Sequence, residues 1–181
     1  MKRHLIIGFI ILVGAGPIQA QEESATNLSR YELFEDGATV KTLEELQDME
    51  DAYKALLADG NCDAAISAIV EFYEAANLVS NLIRRGSEPY YSARRDDQEA
   101  IAKDKSLLSE LIDAEEKFNG LIRRRNTAWV EEAKCLLSLG EQQAAVTRLY
   151  RALDYISGDE RELWEEARTL LWTEVGFRTG N

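Results

Sequence analysis

The chain has 181 residues, of which 33 are acidic and 21 are basic, so its formal net charge is −12. Nucleic acid and anionic lipid surfaces both require a net basic face, so this balance argues against either as a partner. The only histidine is His4, so the rest of the chain lacks the usual general base and the commonest metal ligand. We therefore expect no histidine-based catalytic centre and no common zinc site. The sequence also has no glycine-rich phosphate loop and no calcium-loop spacing, and we expect no cofactor.

Residues 1–20 are typical of a secretory signal peptide. Lys2 and Arg3 form a basic head, residues 5–13 form an almost unbroken apolar run, and Ala20 offers a small side chain at the cleavage point. A bilayer span needs about 20 apolar residues, and this run is shorter. The pattern predicts a periplasmic or secreted protein that is not stably inserted in a membrane after signal cleavage. The alternative is a signal that stays uncleaved as an anchor.

Residues 21–41 are mostly polar and predict a flexible N-terminal leader. Its apolar residues, which we expect to attach it to the body of the protein, are Tyr31, Leu33 and Phe34. A helical domain is predicted over residues 42–176, followed by a tail over residues 177–181. Abundant Ala, Leu, Glu and Arg, with little proline, favour helix through most of this domain.

Two helices are predicted in the first half of the domain. Thr42 and Glu45 have the capping-box spacing that opens a helix, and Gly60 is placed to end it in a left-handed turn. The second helix is predicted to continue to about Arg85, and Pro89 lies in the interruption that follows.

Four helices are predicted in the second half, the first of them long and central. The predicted ranges are 94–124, 127–140, 141–156 and 159–176. Asn126 or Thr127 is expected to cap the second of these helices. Asp159 and Glu162 repeat the capping-box spacing before the last one.

Residues 126–159 carry a spacing that matches a known helical repeat. Counted from Gly140, large residues stand at minus eleven, minus four and plus nine, and small residues stand at minus seven, plus five and plus twelve. In chain order these residues are Trp129, Ala133, Leu136, Ala145, Leu149 and Ala152. The pattern resembles the tetratricopeptide repeat, except that Ser157 stands where the family usually has proline.

Two other stretches resemble the repeat less fully, and residues 87–125 lie outside the resemblance. Around Gly60, Phe72 and Tyr53 occupy positions that are normally small. The residues that match the repeat pattern there are Leu56, Ala65 and Ile69. The sixth predicted helix resembles the first helix of a further, unpaired repeat. Its residues that match the repeat pattern are Leu163, Ala167 and Leu170.

The resemblance implies an all-α fold of stacked antiparallel helix pairs in a right-handed superhelix, here with a long central helix. In such a stack, small residues seat neighbouring helices closely and large residues fill the gaps between units. The stack offers its surface to a peptide or protein partner, so the resemblance implies a scaffold or adaptor and not an enzyme. An irregular helical bundle is the alternative fold.

Cys62 and Cys135 are the only cysteines. In an exported protein two cysteines predict one disulfide, which requires their Cα atoms to come within about 7 Å. The alternative is two separate buried thiols that pack as small apolar side chains.

Arginines concentrate in three places and are candidate partner-binding residues. They are Arg84, Arg85, Arg94, Arg95, Arg123, Arg124 and Arg125. One interpretation is a basic pocket for a carboxylate or phosphate group, and the other is a set of cations that offset helix dipoles at C-termini. With Tyr90 and Tyr91, the arginines of residues 84–95 support a second functional hypothesis, a small-molecule or solute-binding accessory protein.

Trp164 and Trp172 are eight residues apart and are predicted to lie near one face of the last helix. Packing on the preceding helix is one interpretation, and an exposed partner site at the end of the stack is the other. A third functional hypothesis is an enzyme that uses carboxylates alone. It is the least favoured, because adjacent carboxylates such as Glu115 and Glu116 point about 100° apart on a helix.

Overall fold

Helices make up most of the chain described by the computed structural model, which covers residues 39–88 and 90–177. The predicted signal peptide, residues 21–38 of the predicted leader, Pro89 and residues 178–181 lie outside the described residues. The described ranges contain no strand, so the predicted all-α class is confirmed. Their helices are α1 Leu43–Ala58, α2 Cys62–Gly86, α3 Arg95–Lys103, α4 Lys105–Ser138, α5 Gln142–Tyr155 and α6 Arg161–Glu174. None of these helices is both long enough and apolar enough to cross a membrane.

The start of α1 and the turns after α1 and α4 follow the sequence predictions. The Thr42 hydroxyl accepts a hydrogen bond from Glu45 N, and the Glu45 carboxylate accepts one from Thr42 N. The capping box therefore satisfies two backbone N–H groups that the first helical turn leaves free. Gly60 and Gly140 have φ values of +71° and +80°, the left-handed conformation that glycine adopts without steric cost.

The predicted boundary at Asn126 or Thr127 is wrong, because α4 passes through both residues without a break. Asn126 has no capping role: it is buried, and its Nδ2 donates to Tyr155 O and to Glu160 Oε2 at 3.2 and 3.0 Å. The helix break lies instead at Asp104, whose carboxylate accepts hydrogen bonds from the first turn of α4. The predicted helix over residues 94–124 is therefore two helices, and α4, with 34 residues, is the long central one.

The predicted capping box before α6 is also wrong. The N-cap residue is Glu160, and it makes no capping hydrogen bond through its side chain. The Asp159 carboxylate instead accepts a hydrogen bond from Ser157 and pairs with Arg123 of α4. These hydrogen bonds lower the pKa of Asp159, with the contact to Ser157 contributing most.

The packing of the described helices is organised around α4. It lies along α2 and α5, while α1 packs on α2, and α6 contacts α5 and α4. The small residues of the repeat pattern are buried: Ala133, Ala145 and Ala152 are each 0 % exposed. Their burial agrees with a role in seating neighbouring helices closely, while the right-handed superhelix stays a prediction.

The two cysteines that the sequence pairs are brought together at disulfide-bonding distance, with their Cα atoms 5.0 Å apart. Cys62 is the first residue of α2, and Cys135 lies near the end of α4. The pair therefore joins the beginning of one long helix to the end of the other, across 73 residues of chain.

We predict that replacing both cysteines, in Cys62→Ala/Cys135→Ala, lowers the free energy of unfolding by about 4 kcal/mol, because the unfolded chain regains the freedom of the closed loop. Urea unfolding followed by circular dichroism measures the change. Reductant should destabilise the wild type and leave the double variant unaffected. Equal unfolding midpoints for oxidised and reduced wild type would contradict the prediction.

We also predict that Ala145→Leu lowers the free energy of unfolding by about 1–3 kcal/mol, because no space remains for three more carbons at a fully buried crossing. The neighbouring Ala144 is exposed on the same helix, so Ala144→Leu is the matched control and should change stability little. Thermal or urea unfolding of the two variants side by side provides the test. Similar losses in both would show that Ala145 has no special role in packing.

Candidate functional site

Three consecutive arginines in α4 turn toward three different neighbours. Arg123 pairs with Asp159 in the loop before α6, and Arg124 pairs with Glu50 on α1. Arg125 turns toward α2 and α5. Because these residues lie inside α4, their interpretation as cations at a helix C-terminus is wrong. Their separate partners also show that the three do not form one basic pocket.

Arg125 is almost completely buried, with 5 % of its surface exposed. Its Nη1 donates to Asn77 Oδ1 of α2 at 2.7 Å, and its Nη2 donates to Asn126 Oδ1 at 3.0 Å. Its guanidinium lies 4.3 Å from the centre of the Trp129 ring and 5.1 Å from that of Tyr155. Burial lowers the pKa of Arg125 below its ordinary value. Arg125 therefore joins α2, α4 and α5 and is closed to a partner.

A small cationic and aromatic cluster lies beside the end of α2. The Arg84 guanidinium lies 5.9 Å from the centre of the Tyr91 ring and 5.7 Å from that of Phe118 on α4. The rings of Tyr90 and Tyr91 meet edge to face at 5.4 Å. The structure thus brings together Arg84, Tyr90 and Tyr91, which are three of the residues that the second functional hypothesis uses.

The other arginines of residues 84–95 have different surroundings. Arg85 lies in the last turn of α2, where a cation offsets the helix dipole, as one of the two interpretations predicts. Arg94 and Arg95 stand at the start of α3, and Arg95 pairs with Glu99 one turn further on at 3.2 Å. All three arginines are exposed.

A stripe of aromatic and cationic side chains runs along α6. Trp164, Arg168 and Trp172 are four residues apart, so they lie on one side of the helix. The Arg168 guanidinium lies 4.3 Å from the centre of the Trp164 ring and 4.6 Å from that of Trp172. Phe177 extends the stripe past the helix end, with its ring centre 4.9 Å from that of Trp172. We call these four residues the α6 aromatic face.

The α6 aromatic face is partly open to solvent. Both tryptophans are half-buried, Phe177 is 53 % exposed, and the neighbouring Val175 is 62 % exposed. Among the described residues no carboxylate pairs with Arg168, whose Nε is buried without a hydrogen-bond partner. The sequence predicts the shared side of the two tryptophans, and the same four-residue spacing places Arg168 between them.

A second site, which no sequence pattern predicts, is a cavity of about 450 Å³ between α4 and α5. We call it the α4–α5 pocket. Its lining residues are Glu132, Leu136, Gln143, Ala144, Thr147, Arg148 and Arg151. The volume lies within the range of about 300–1,000 Å³ that is usual for small-molecule sites.

A buried ion pair forms one wall of the α4–α5 pocket. The Arg148 Nη2 donates to Glu132 Oε1 and to the Tyr73 hydroxyl, at 3.0 Å in each case. Arg148 Nε lies 2.7 Å from Glu132 Oε2 but is not aligned for a hydrogen bond. Glu132 is 5 % exposed, so Oε2 is a buried acceptor that receives no hydrogen bond from the described residues.

Arg151 lies one helical turn beyond Arg148 and is exposed. Its guanidinium lies 5.2 Å from the centre of the Trp129 ring. No carboxylate within residues 39–88 and 90–177 forms an ion pair with it. The positive charge of Arg151 nevertheless acts on Glu132, whose pKa it lowers, so the buried carboxylate of the α4–α5 pocket is influenced by both arginines.

We predict that Glu132 titrates above the ordinary range of a glutamate. Burial raises its pKa, while the charge and hydrogen bond of Arg148 lower it. Arg148→Gln should therefore raise the pKa of Glu132 further, as measured by carbon-detected NMR of the side-chain carboxyl. Arg161→Gln, on α6, is the control and should leave it unchanged. A lower pKa of Glu132 in Arg148→Gln would contradict this account.

The sign of the linked stability change follows from the raised pKa. The fold favours the protonated form of Glu132, so its contribution to stability is fully present below the pKa of an unfolded glutamate. That contribution is lost as the pH rises through the raised pKa of the folded protein.

The described part of the chain contains no group of three or more His, Cys, Asp or Glu side chains placed to hold a metal ion. Comparisons with protein-family models, with curated protein sequences and with solved structures find no match to this chain.

Proposed function

We propose that this protein is an exported, tetratricopeptide-like helical scaffold that binds a protein or peptide partner through the α6 aromatic face, and that its role is binding and not catalysis. The observation that carries the proposal is the position of Arg168 between two half-buried indole rings, with no carboxylate of the described residues to neutralise it.

The burial of the small residues of the repeat pattern supports the proposed helical scaffold. Ala133, Ala145 and Ala152 are fully buried, and so is Ala167, the small residue of the unpaired unit. In a stack of helix pairs, α6 takes the place of a first helix without its second. The side that a second helix would cover is then left to a partner.

The composition of the α6 aromatic face fits protein recognition. Tryptophan and arginine are the residue types most enriched among those that dominate binding energy at interfaces. Half-buried rings are already held in place by their neighbours, so little side-chain entropy is lost on binding. A fitting partner presents an apolar side chain against the rings and a carboxylate to Arg168.

The export part of the proposal rests on the sequence of residues 1–20 and on the cysteine pair. Disulfides form and persist in oxidising compartments, and Cys62 and Cys135 lie at bonding distance. A periplasmic or secreted location accounts for both features.

We predict that a photo-crosslinking amino acid at Val175, beside the α6 aromatic face, gives a protein adduct of defined mass in cells that make this protein. The same amino acid at Tyr150, which is 66 % exposed on α5, is the control and should not give this adduct. Gel analysis followed by mass spectrometry reads out both positions.

The adduct should disappear in Trp172→Ala and in Arg168→Glu. Loss of an interface tryptophan costs about 2 kcal/mol or more, roughly a thirtyfold weaker Kd. Circular dichroism must show that both variants fold. No adduct from position 175, or an adduct that persists in both variants, would count against the proposal.

A further inference from the structure

We propose that the α6 aromatic face recognises an amphipathic helix of the partner, in which one acidic side chain lies between two large apolar side chains, each one helical turn away. This assignment rests on the proposed function, because it uses the same surface and names the partner segment that fits it. The acidic side chain pairs with Arg168, and the apolar side chains contact the two tryptophan rings.

Arg168 has two nitrogen atoms that a partner can reach. Its Nε is buried without a hydrogen-bond partner, whereas Nη1 and Nη2 are not buried and form no hydrogen bond or ion pair with the described residues. The rings of Trp164 and Trp172 lie 4.3 and 4.6 Å from the guanidinium carbon and hold it in place. A carboxylate is the group that matches the paired N–H donors of a guanidinium held in this way.

The order of the groups along the face favours a carboxylate inside the partner chain over one at its end. Arg168 lies in the middle, with Trp164 one turn before it and Trp172 one turn after it. A C-terminal carboxylate has chain on one side only, so it would leave one of the two rings uncovered. The side chain of an internal aspartate or glutamate has chain on both sides and covers both rings.

Apolar surface is available at both ends of the face. Beside Trp164 lies a cavity of about 250 Å³, whose lining includes Ile156 and Gly158. Beside Trp172 lies the ring of Phe177, at 4.9 Å between ring centres and 53 % exposed. The face therefore offers a place for one large apolar side chain on each side of the carboxylate.

The form of the surface favours a helical partner segment over an extended one. Residues four apart on α6 are about 6 Å apart along its axis, and residues four apart on a partner helix have the same spacing. Alternate residues of an extended segment are about 6.6 Å apart, but the backbone of such a segment needs a sheet edge for its hydrogen bonds. The described residues contain no strand, so a helix, which satisfies its own backbone groups, fits this surface better.

The charge around Arg168 determines the rest of the partner helix. α6 contains four glutamates and two arginines. Glu162 and Glu174 form no ion pair within the described part of the chain. Lysines outside the apolar stripe of the partner helix are therefore attracted to α6, whereas its acidic side chain is accepted only at Arg168.

The test uses end-capped peptides of about 17 residues, a length that allows a helix to form in water. The first peptide consists of alanine and lysine, with two leucines eight residues apart and a glutamate midway between them. Three control peptides each change one feature. One has glutamine in place of the glutamate, one ends at that position with a free carboxylate, and one has the leucines only two residues from the glutamate.

Binding of each peptide to the full-length protein is measured by isothermal titration calorimetry. We expect the first peptide to bind and each control to bind about tenfold more weakly. The glutamine peptide loses the charge-assisted hydrogen bonds, the truncated peptide leaves one ring uncovered, and the third control does not form the apolar stripe as a helix.

The Arg168→Gln variant assigns the carboxylate contact. The glutamate and glutamine peptides should bind this variant equally, because no cation remains to pair with the glutamate. Arg151→Gln is the matched control, since Arg151 also lies near a tryptophan ring, 5.2 Å from the centre of Trp129, but belongs to α5. It should keep the preference for the glutamate peptide. The peptide series with the wild type decides the question even if Arg168→Gln does not fold.

Four results would overturn the proposal. No binding of the first peptide at millimolar concentration would remove its basis, and equal binding of the glutamate and glutamine peptides would exclude a carboxylate at Arg168. Equal binding of the truncated peptide would identify a C-terminus as the ligand, and tighter binding of the third control would identify an extended segment. The crosslink from Val175 does not depend on the form or charge of the partner segment, so failure of the peptides is distinct from failure of the proposed function.

Discussion

The close approach of α4 to α2 and α5 is the constraint on which the other features depend. Fully buried alanines on α4 and α5 leave room for neighbouring backbones, and Arg125 then joins the three helices through Asn77, Asn126 and two aromatic rings. Burying a guanidinium is costly unless it has partners, and here Nη1 and Nη2 donate hydrogen bonds while the buried Nε has no hydrogen-bond partner among the described residues. The same approach brings Arg148 of α5 against Glu132 of α4, and so forms one wall of the α4–α5 pocket.

Local sequence patterns predicted the helices well and their middle boundaries poorly. The capping box at Thr42 and the turn glycines Gly60 and Gly140 act through bonds and angles only a few residues long, so the sequence is enough to identify them. Asn126 and Asp159 have equally good capping chemistry, but Asn126 donates to Glu160 in the loop before α6, and Asp159 accepts from Ser157 and pairs with Arg123 of α4. The local sequence does not reveal these alternative hydrogen-bond partners, because they depend on which helices are neighbours.

The two candidate sites also differ in how far the local sequence predicts them. The α6 aromatic face is built from residues four apart on one helix, so helical periodicity indicates it directly. The α4–α5 pocket depends on residues from two helices that are sixteen positions apart in the chain, and on a hydroxyl from a third helix. Charges such as Glu132 and Arg148 are ordinary in an acidic helical sequence, and only the fold shows that they face each other away from water.

The uneven burial of α4 has a consequence for motion. Its 34 residues span about 51 Å, but the first buried residue is Leu121, almost halfway along, and α3, which packs on α4, has no buried residue. Local opening costs least where few side chains are removed from water. We therefore expect α3 and the first half of α4 to open locally more readily than the rest of the domain. From the burial of Arg125, Glu132 and Cys135 we expect the second half of α4 to open at a higher free-energy cost than the first half.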